Sequence, residues 1–267
     1  DIKSLKILNN KFTYSTRPKK SLGQNYLTDE NICRNIVDAF EIEPGEHIVE
    51  IGPGKGALTR YILEKTSNLT VIELDRNNCA ILKELFPCLN IINRDFLKLN
   101  LSELLANPVE KLRVIGNIPY NITSPIIFKL MDNRTIVKDA QLMIQEEVAR
   151  RITADPNNKE YGIPSVLLNV FGSSKLLFKV SRNCFYPKPK VDSRIIYFDF
   201  SVSQEEKVNN IDFFRKLVKA AFGTRRKTLR NSLKNIEADL SKAEIDLGRR
   251  AESLSINEFI ELSNRLC

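Results

Sequence analysis

The chain has few of the residues that metal sites and nucleophilic enzymes need. Its 267 residues include one histidine, His47, five cysteines and no tryptophan. No two cysteines have C-x-x-C spacing, so no zinc site is expected, and one histidine does not favour a histidine-activated serine or cysteine nucleophile. An odd number of scattered thiols is typical of a reducing compartment. We therefore expect a cytoplasmic protein, although an organelle is also compatible.

Long apolar runs are missing as well. No stretch is long enough to span a bilayer, and no apolar segment near the start has the form of a secretory signal. With 42% hydrophobic and 28% charged residues, the composition is ordinary for a folded globular protein. We expect neither membrane insertion nor a bound metal.

The excess positive charge lies at the two ends of the chain. The net charge is +8, of which residues 1–27 carry +5 and residues 201–267 carry +3, whereas residues 28–200 are neutral. A basic surface is often only a solvated one, but it also suits a polyanionic partner. Charge alone leaves both interpretations open.

Apolar residues alternate between strand-like and helix-like spacing through most of the chain. This alternation predicts an α/β fold with a mostly parallel sheet covered by helices on both faces. The predicted strands are 47–51, 69–74, 90–93, 112–116 and 141–144, followed by an antiparallel pair at 176–180 and 195–200. The predicted helices are 28–40, 57–65, 76–86, 101–106, 124–132, 146–153 and 165–171.

The last part of the sequence has only helical spacing. The predicted helices there are 213–222, with Gly223 as its C-terminal cap, a second from Thr224 through Leu233, a third near 243–247 and a fourth at 256–266. The predicted organisation is a basic N-terminal arm (1–27), a Rossmann-like domain (28–203) and a small all-helical C-terminal domain (204–267).

A glycine-rich loop follows the first strand. Gly52, Gly54 and Gly56 let the backbone pass close to a ligand, and Glu73 lies 21 residues after Gly52, at the end of the second strand. A carboxylate there can accept hydrogen bonds from both ribose hydroxyls of a nucleoside. NAD enzymes and S-adenosylmethionine enzymes share this arrangement, but the full G-x-G-x-x-G pattern of the former is absent. A tight turn without a ligand is the simpler alternative.

Asp95 follows the third predicted strand and precedes Phe96. Its carboxylate could accept a hydrogen bond from an adenine amino group, with Phe96 beside the ring. An N-cap or a surface carboxylate explains the residue equally well.

The fourth strand ends in the sequence GNIPYN, residues 116–121, which is the most specific local signal. Adenine N6 is a poor nucleophile because its lone pair is delocalised into the ring, and hydrogen-bond acceptors for its two hydrogens favour a more pyramidal nitrogen. The side-chain carbonyl of Asn117 and the backbone carbonyl of Ile118 are candidate acceptors. Pro119 stiffens the turn and Tyr120 offers a stacking face. A proline turn with an incidental tyrosine is the alternative.

The sequence FYPKPKVDS, residues 185–193, contains two prolines that hold an aromatic-bearing loop in an extended form. Phe185 or Tyr186 could stack on the opposite face of an extruded base. Physics alone favours the alternative, a rigid connection whose aromatic residues fill the core.

Two basic clusters are candidate phosphate contacts. They consist of Arg17, Lys19 and Lys20 in the arm and of Arg225, Arg226, Lys227 and Arg230 in the C-terminal domain. A solvated helix face is the alternative for the second cluster.

These motifs, in this order, resemble the small-subunit ribosomal RNA adenine dimethyltransferases. The resemblance runs from KKSLGQNYL at residues 19–27, through the motifs above, to AFGTRRKTL at residues 221–229. Tyr26 stands where that family usually has phenylalanine. The resemblance implies S-adenosylmethionine as cofactor, two adjacent adenosines near the 3′ end of small-subunit rRNA as substrate, and action as a monomer on an immature subunit.

The resemblance also implies roles for individual residues. Cofactor contacts are expected from Asn25, Leu27, Gly52, Glu73, Asp95 and Asn117. Contacts to the target adenine are expected from Asn117, Tyr120 and Phe185.

Three alternatives remain at this point. Large-subunit rRNA adenine methyltransferases of the macrolide-resistance type resemble the chain in the glycine loop and in residues 117–121, whereas Ser124-Pro125 and residues 188–193 favour the small-subunit family. A non-catalytic assembly or transcription factor on the same fold is less favoured, because residues 117–120 are intact. A nicotinamide-dependent dehydrogenase is disfavoured by the incomplete glycine fingerprint.

Overall fold

A computed structural model describes residues 18–19, 22–107 and 109–267. Its centre is a seven-stranded sheet, whose strands are β2 (His47–Ile51), β3 (Leu69–Ile72), β4 (Asn90–Ile92), β5 (Leu112–Asn117), β6 (Val137–Gln145), β7 (Ser173–Val180) and β9 (Ser193–Asp199). Their order across the sheet is β4-β3-β2-β5-β6-β9-β7. Neighbouring strands from β4 to β6 are parallel, and β9 is antiparallel to both β6 and β7. The predicted α/β class and the antiparallel closing pair are therefore confirmed.

Two short strands form a separate antiparallel ribbon. They are β1 (Tyr26–Leu27) in the arm and β8 (Phe185–Tyr186) in the proline-rich loop. Tyr26 pairs with Tyr186 and Leu27 pairs with Phe185. Local spacing did not predict this ribbon, because its two strands are separated by more than 150 residues of chain.

Two helices of the α/β part begin at aspartates that cap them. Asp29 caps the first helix through the backbone N–H groups of Asn31 and Ile32, and Asp75 caps the third through Asn77. These helices are α1 (Glu30–Asp38), α2 (Thr59–Leu63), α3 (Arg76–Leu85), α4 (Thr123–Asp132), α5 (Glu146–Ile152) and α6 (Ile163–Val170). The predicted helix at 101–106 is a 3₁₀ turn, Leu101–Leu104.

The C-terminal part is helical, as predicted, but one predicted helix is wrong. Its helices are α7 (Ile211–Phe222), α8 (Leu229–Ser232) and α9 (Ile256–Leu266). No helix forms near 243–247, because the Asp246 carboxylate accepts a hydrogen bond from the Gly248 N–H and closes a turn there. Gly223 ends α7 with a φ of −59°, so it does not use glycine's left-handed freedom, and α8 begins after Thr228 instead of Thr224.

The C-terminal helices share their hydrophobic core with the sheet. One buried cluster runs from sheet residues such as Val114 and Leu142 to Phe214 on α7 and Phe259 on α9. The rings of Phe171 and Phe214 meet edge to face, with centroids 6.3 Å apart. The domain division at residues 203–204 stays a prediction, since the core is continuous across it. Among the described residues, no helix has the length and apolar content needed to cross a membrane.

Candidate active site

A cavity of about 280 Å³ opens at the carboxyl ends of β2, β3 and β5. This is the edge at which open parallel sheets bind ligands. Seven of the sequence-predicted site residues line it: Asn25, Leu27, Gly52, Glu73, Asp95, Asn117 and Tyr120. The fold therefore brings together the predicted cofactor residues and two of the three predicted adenine residues.

The glycine loop forms one wall of the cavity and needs its glycines. Gly52 and Gly54 have φ angles of +65° and +59°, which a residue with a Cβ rarely adopts. A Cβ on Gly54 would lie 3.0 Å from the ring of Tyr26. At the end of β5, a Cβ on Gly116 would lie 2.6 Å from the carbonyl oxygen of Ile51, so glycine also permits β5 to approach β2 here.

The carboxylate of Glu73 is fixed at the end of β3. Its Oε1 accepts a hydrogen bond from the N–H of Asp75 at 2.7 Å, and its Oε2 accepts from the N–H of Gly54 at 3.1 Å and from Asn78 Nδ2 at 3.2 Å. Only 6% of Glu73 is exposed, and burial raises the pKa of its carboxyl above the ordinary value. A buried acceptor beside a glycine cradle fits a ribose diol, which donates two hydrogen bonds.

A second buried carboxylate, Glu50, also lines the cavity, and the sequence interpretation missed it. Glu50 lies on β2 and accepts a hydrogen bond from the hydroxyl of Thr59 at 2.6 Å. Burial raises its pKa to about 8, with the hydrogen bond from Thr59 opposing that shift. Its place among the apolar residues Ile48, Val49 and Ile51 of a buried strand was the available signal.

Asp95 is an N-cap, as one interpretation of its sequence position predicted. Its Oδ1 accepts a hydrogen bond from the N–H of Leu97 at 2.9 Å and caps a 3₁₀ turn, Phe96–Lys98. The residue also lines the cavity beside Phe96. Its contact to the adenine of a cofactor stays a prediction.

The arm covers the cavity and is held by side chains of the α/β part. The side-chain nitrogen of Asn117 donates to the carbonyl of Asn25 at 3.0 Å. Asp75 accepts from Lys19 Nζ at 2.7 Å and from Gln24 Nε2 at 3.0 Å. Lys19 therefore pairs with a buried carboxylate, although 44% of its side chain stays exposed, and its contact to RNA phosphates stays a prediction. Arg17 and Lys20 lie outside the described residues.

Tyr26 adds a contact that phenylalanine would lack. Its hydroxyl donates to Gln24 Oε1 at 2.9 Å and lies 3.4 Å from Asn78 Oδ1. The ammonium of Lys55 lies 5.2 Å from the ring centroid. The tyrosine thus ties the arm to α3 as well as to the glycine loop.

The turn after β5 presents an amide oxygen and an aromatic ring to the cavity. Because the Asn117 side-chain nitrogen donates to Asn25, the amide oxygen Oδ1 is the end left to accept hydrogen bonds from a substrate. Pro119 is followed by a 3₁₀ turn, Tyr120–Ile122. The hydroxyl of Tyr120 lies 2.7 Å from Ser193 Oγ, and burial raises the pKa of this tyrosine.

Phe185 does not line the cavity. Only 5% of it is exposed, and it packs in a hydrophobic cluster with Leu27 and Val180. This placement agrees with the alternative in which the loop's aromatic residue fills the core. A role for Phe185 in holding adenine stays a prediction, since the side chain would have to leave that cluster to reach a base.

The C-terminal basic cluster lies at the surface. Arg225, Arg226, Lys227 and Arg230 are all exposed. Arg225 donates from Nη2 to the carbonyl of Tyr161 at 3.0 Å, so it also connects the C-terminal part to the α/β part. Within the described ranges, no group of histidine, cysteine and acidic residues is arranged to hold a metal ion.

Four features define an S-adenosylmethionine-dependent methyltransferase of the Rossmann-like class: the sheet order, the glycine cradle, the buried acid that follows β3 and the amide–proline turn after β5. The chain belongs to the ribosomal RNA adenine dimethylase family, whose model matches residues 15–267. S-Adenosylmethionine is accordingly its cofactor, and the predicted family, enzyme class and fold are confirmed.

Relatives of known name cover nearly the whole chain. It is 47% identical over 251 residues to the ribosomal RNA small subunit methyltransferase A of Chlorobium phaeobacteroides (strain BS1), and the aligned region covers 93% of each protein. The protein of the same name from Francisella tularensis subsp. tularensis (strain WY96-3418) is 42% identical over 264 residues, covering 95% of this chain and 99% of the relative.

Solved structures of two methyltransferases are similar in fold. A dimethyladenosine transferase from Plasmodium falciparum has a TM-score of 0.74 and 25% identity, covering 88% of this chain and 95% of the other. The 23S rRNA methyltransferase ErmE has a TM-score of 0.69 and 25% identity, covering 90% and 99%.

Proposed function

We propose that this enzyme dimethylates N6 of two adjacent adenosines near the 3′ end of small-subunit rRNA, as part of ribosome biogenesis. The observation that carries the proposal is the fixed amide of Asn117, whose nitrogen donates to Asn25 and whose oxygen is left for the substrate. The names of relatives at 42% and 47% identity support the small subunit as the source of the RNA.

The turn after β5 has the groups that activate an adenine amino group. Asn117 Oδ1 and the carbonyl oxygen of Ile118 accept the two N6 hydrogens and favour a pyramidal nitrogen whose lone pair faces the methyl donor. The ring of Tyr120 stacks on the base and holds it in the plane that these acceptors require. Positioning of this kind is the main source of rate in a direct displacement.

The cofactor supplies an electrophilic methyl group bound to a positively charged sulfur. Glu73 accepts hydrogen bonds from the ribose hydroxyls, and the loop at Gly52 and Gly54 leaves room for the rest of the molecule. Asp95 is placed to accept from the adenine amino group of the cofactor. The methylated N6 of the substrate becomes positively charged and loses its proton to water, so no strong base is required.

The partner is rRNA within an immature subunit, bound by a monomer in the cytoplasm. Arg225, Arg226, Lys227 and Arg230 supply exposed positive charge for the rRNA backbone. We assign these contacts to the C-terminal helical part, residues 204–267.

Modification of large-subunit rRNA, an alternative raised by the sequence, is not favoured by the names of the relatives, although the fold of ErmE is similar over 90% of the chain. The two are separated by incubating the enzyme and S-adenosylmethionine with immature small subunits and, separately, with large-subunit rRNA. Mass spectrometry of the digested RNA should find N6,N6-dimethyladenosine at two adjacent positions of the small-subunit RNA only. Modification confined to a large-subunit adenosine would contradict the proposal, and Asn117→Ala provides the inactive control.

A further inference from the structure

The loop that joins β7 to β9, residues 181–192, borders the active site at two places. At its middle, Tyr186 on β8 pairs with Tyr26 of the arm, next to the cavity-lining residues of β1. Just after its end, Ser193 contacts the hydroxyl of Tyr120. We call residues 182–191 the rim segment, because the loop passes from one wall of the site to the other.

The rim segment exposes one aromatic ring and three cations. Tyr186 is 66% exposed, although its neighbour Phe185 is buried in the core. Arg182, Lys188 and Lys190 are exposed as well, and residues 182–191 include no acidic residue. A large exposed ring next to several cations is not needed for packing, and it is the combination that binds single-stranded nucleic acid.

The rim segment is also held rigidly against the fold. Pro187 and Pro189 restrict its backbone, and Arg182 donates from Nη1 to the carbonyl of Lys190 at 3.1 Å. Asp192, the residue after the segment, accepts a hydrogen bond from the backbone N–H of Arg182 at 3.0 Å. Its carboxylate also pairs with the ammonium of Lys179 on β7 at 2.7 Å, so it connects the segment to the sheet. A ring and charges on a stiff support lose little conformational entropy when they bind a partner.

We propose that the rim segment binds the unpaired rRNA strand beside the target adenine. Tyr186 stacks on a nucleotide that flanks the target, while Lys188 and Lys190 contact phosphates of the same strand. This inference rests on the proposed function, since it takes RNA as the substrate. It differs from a role in the base pocket, because Tyr186 does not line the cavity and faces solvent.

The test measures, by fluorescence anisotropy, how tightly the 267-residue chain binds a short, labelled single-stranded RNA that contains two adjacent adenosines. Tyr186→Ala should raise the Kd about tenfold, the effect of losing one stacked base, whereas Tyr186→Phe should bind like the wild type because stacking does not need the hydroxyl. Lys188→Ala with Lys190→Ala should lower the slope of log affinity against log salt by about 0.7 for each lost phosphate contact.

The matched control is the double variant Lys83→Ala with Lys111→Ala, which removes two exposed lysines from α3 and from the amino end of β5. This control should keep the wild-type salt slope. S-Adenosylmethionine affinity, measured by calorimetry on every variant, should be unchanged and shows that the fold is intact.

Wild-type RNA affinity in Tyr186→Ala, together with an unchanged salt slope in the double lysine variant, would overturn the proposal and leave the rim segment as a rigid connection. Methylation mapping with the wild type tests the proposed function separately, because the binding measurement does not depend on which adenosine is modified.

Discussion

The hydroxyl of Tyr120 lies 2.7 Å from Oγ of Ser193, a residue with no exposed surface at the start of β9. This hydrogen bond joins the turn after β5 to the end of the proline-rich loop. It fixes the far end of the ring that is proposed to stack on the target adenine, so we expect Ser193 to act as a positioning residue for Tyr120.

A double-mutant cycle tests that expectation. Ser193→Ala and Tyr120→Phe should each lower kcat about 3- to 10-fold, the value of one neutral hydrogen bond, with little change in cofactor affinity. The double variant should be no slower than either single variant, because both remove the same bond.

Ser165→Ala is the matched control for this cycle. Ser165 is an equally buried serine whose hydroxyl donates to the carbonyl of Arg151, and it does not line the cavity. Its loss should lower stability but not kcat. Multiplicative losses in the double variant would show that Ser193 does not act through Tyr120.

Cofactor affinity should depend on the buried carboxylate of Glu73. Glu73→Ala removes the proposed acceptor for the ribose hydroxyls and should weaken S-adenosylmethionine binding by about 1–3 kcal/mol. Isothermal titration calorimetry measures the change, and circular dichroism checks that the variant is folded. A folded variant with wild-type affinity would remove Glu73 from the cofactor site.

Stability should fall as the pH rises through the neutral range, because of Glu50. Its carboxyl has a pKa of about 8 in the folded protein, raised by burial from an ordinary value of 4.5. The folded state therefore holds the proton more tightly than the unfolded state, and the free energy of unfolding decreases between those two pH values. Glu50→Gln, which is uncharged throughout, should reduce this decrease.

Urea denaturation of the wild type and Glu50→Gln at several pH values measures the effect. Glu73, whose pKa is raised in the same direction, is present in both proteins and contributes a pH dependence of the same sign to each of them. Parallel stability profiles for the two proteins would contradict the assignment to Glu50.

RNA affinity should depend on the exposed C-terminal cations. Neutralising Arg225, Arg226, Lys227 and Arg230 together should weaken RNA binding and lower the salt slope by about 0.7 for each lost contact to a single strand, or about 0.9 for each contact to a duplex. Cofactor affinity should not change, because none of the four lines the cavity. RNA-binding titrations at several salt concentrations measure the slope of log affinity against log salt. An unchanged slope would show that the cluster is an ordinary solvated surface.

The sequence by itself determined the order of strands and helices and the residues at the strand ends. Periodicity located each strand of the sheet, and Glu73, Asp95 and Asn117 were identified by following a strand, which places them at one edge of any parallel sheet. The helix Ile256–Leu266 has the bounds that its helical spacing predicts, and the structure shows a capping box of Ser255 and Glu258 at its start.

Only the tertiary structure decided which polar groups are already paired and which are left for ligands. The pairing of Lys19 with Asp75 joins residues 56 positions apart, and that of Tyr120 with Ser193 joins residues 73 apart. Phe185 and Tyr186 are adjacent aromatic residues, yet one is buried and the other exposed, because successive side chains of a strand point to opposite faces. Which face meets the core depends on where β8 joins β1, and that contact spans most of the α/β part of the chain.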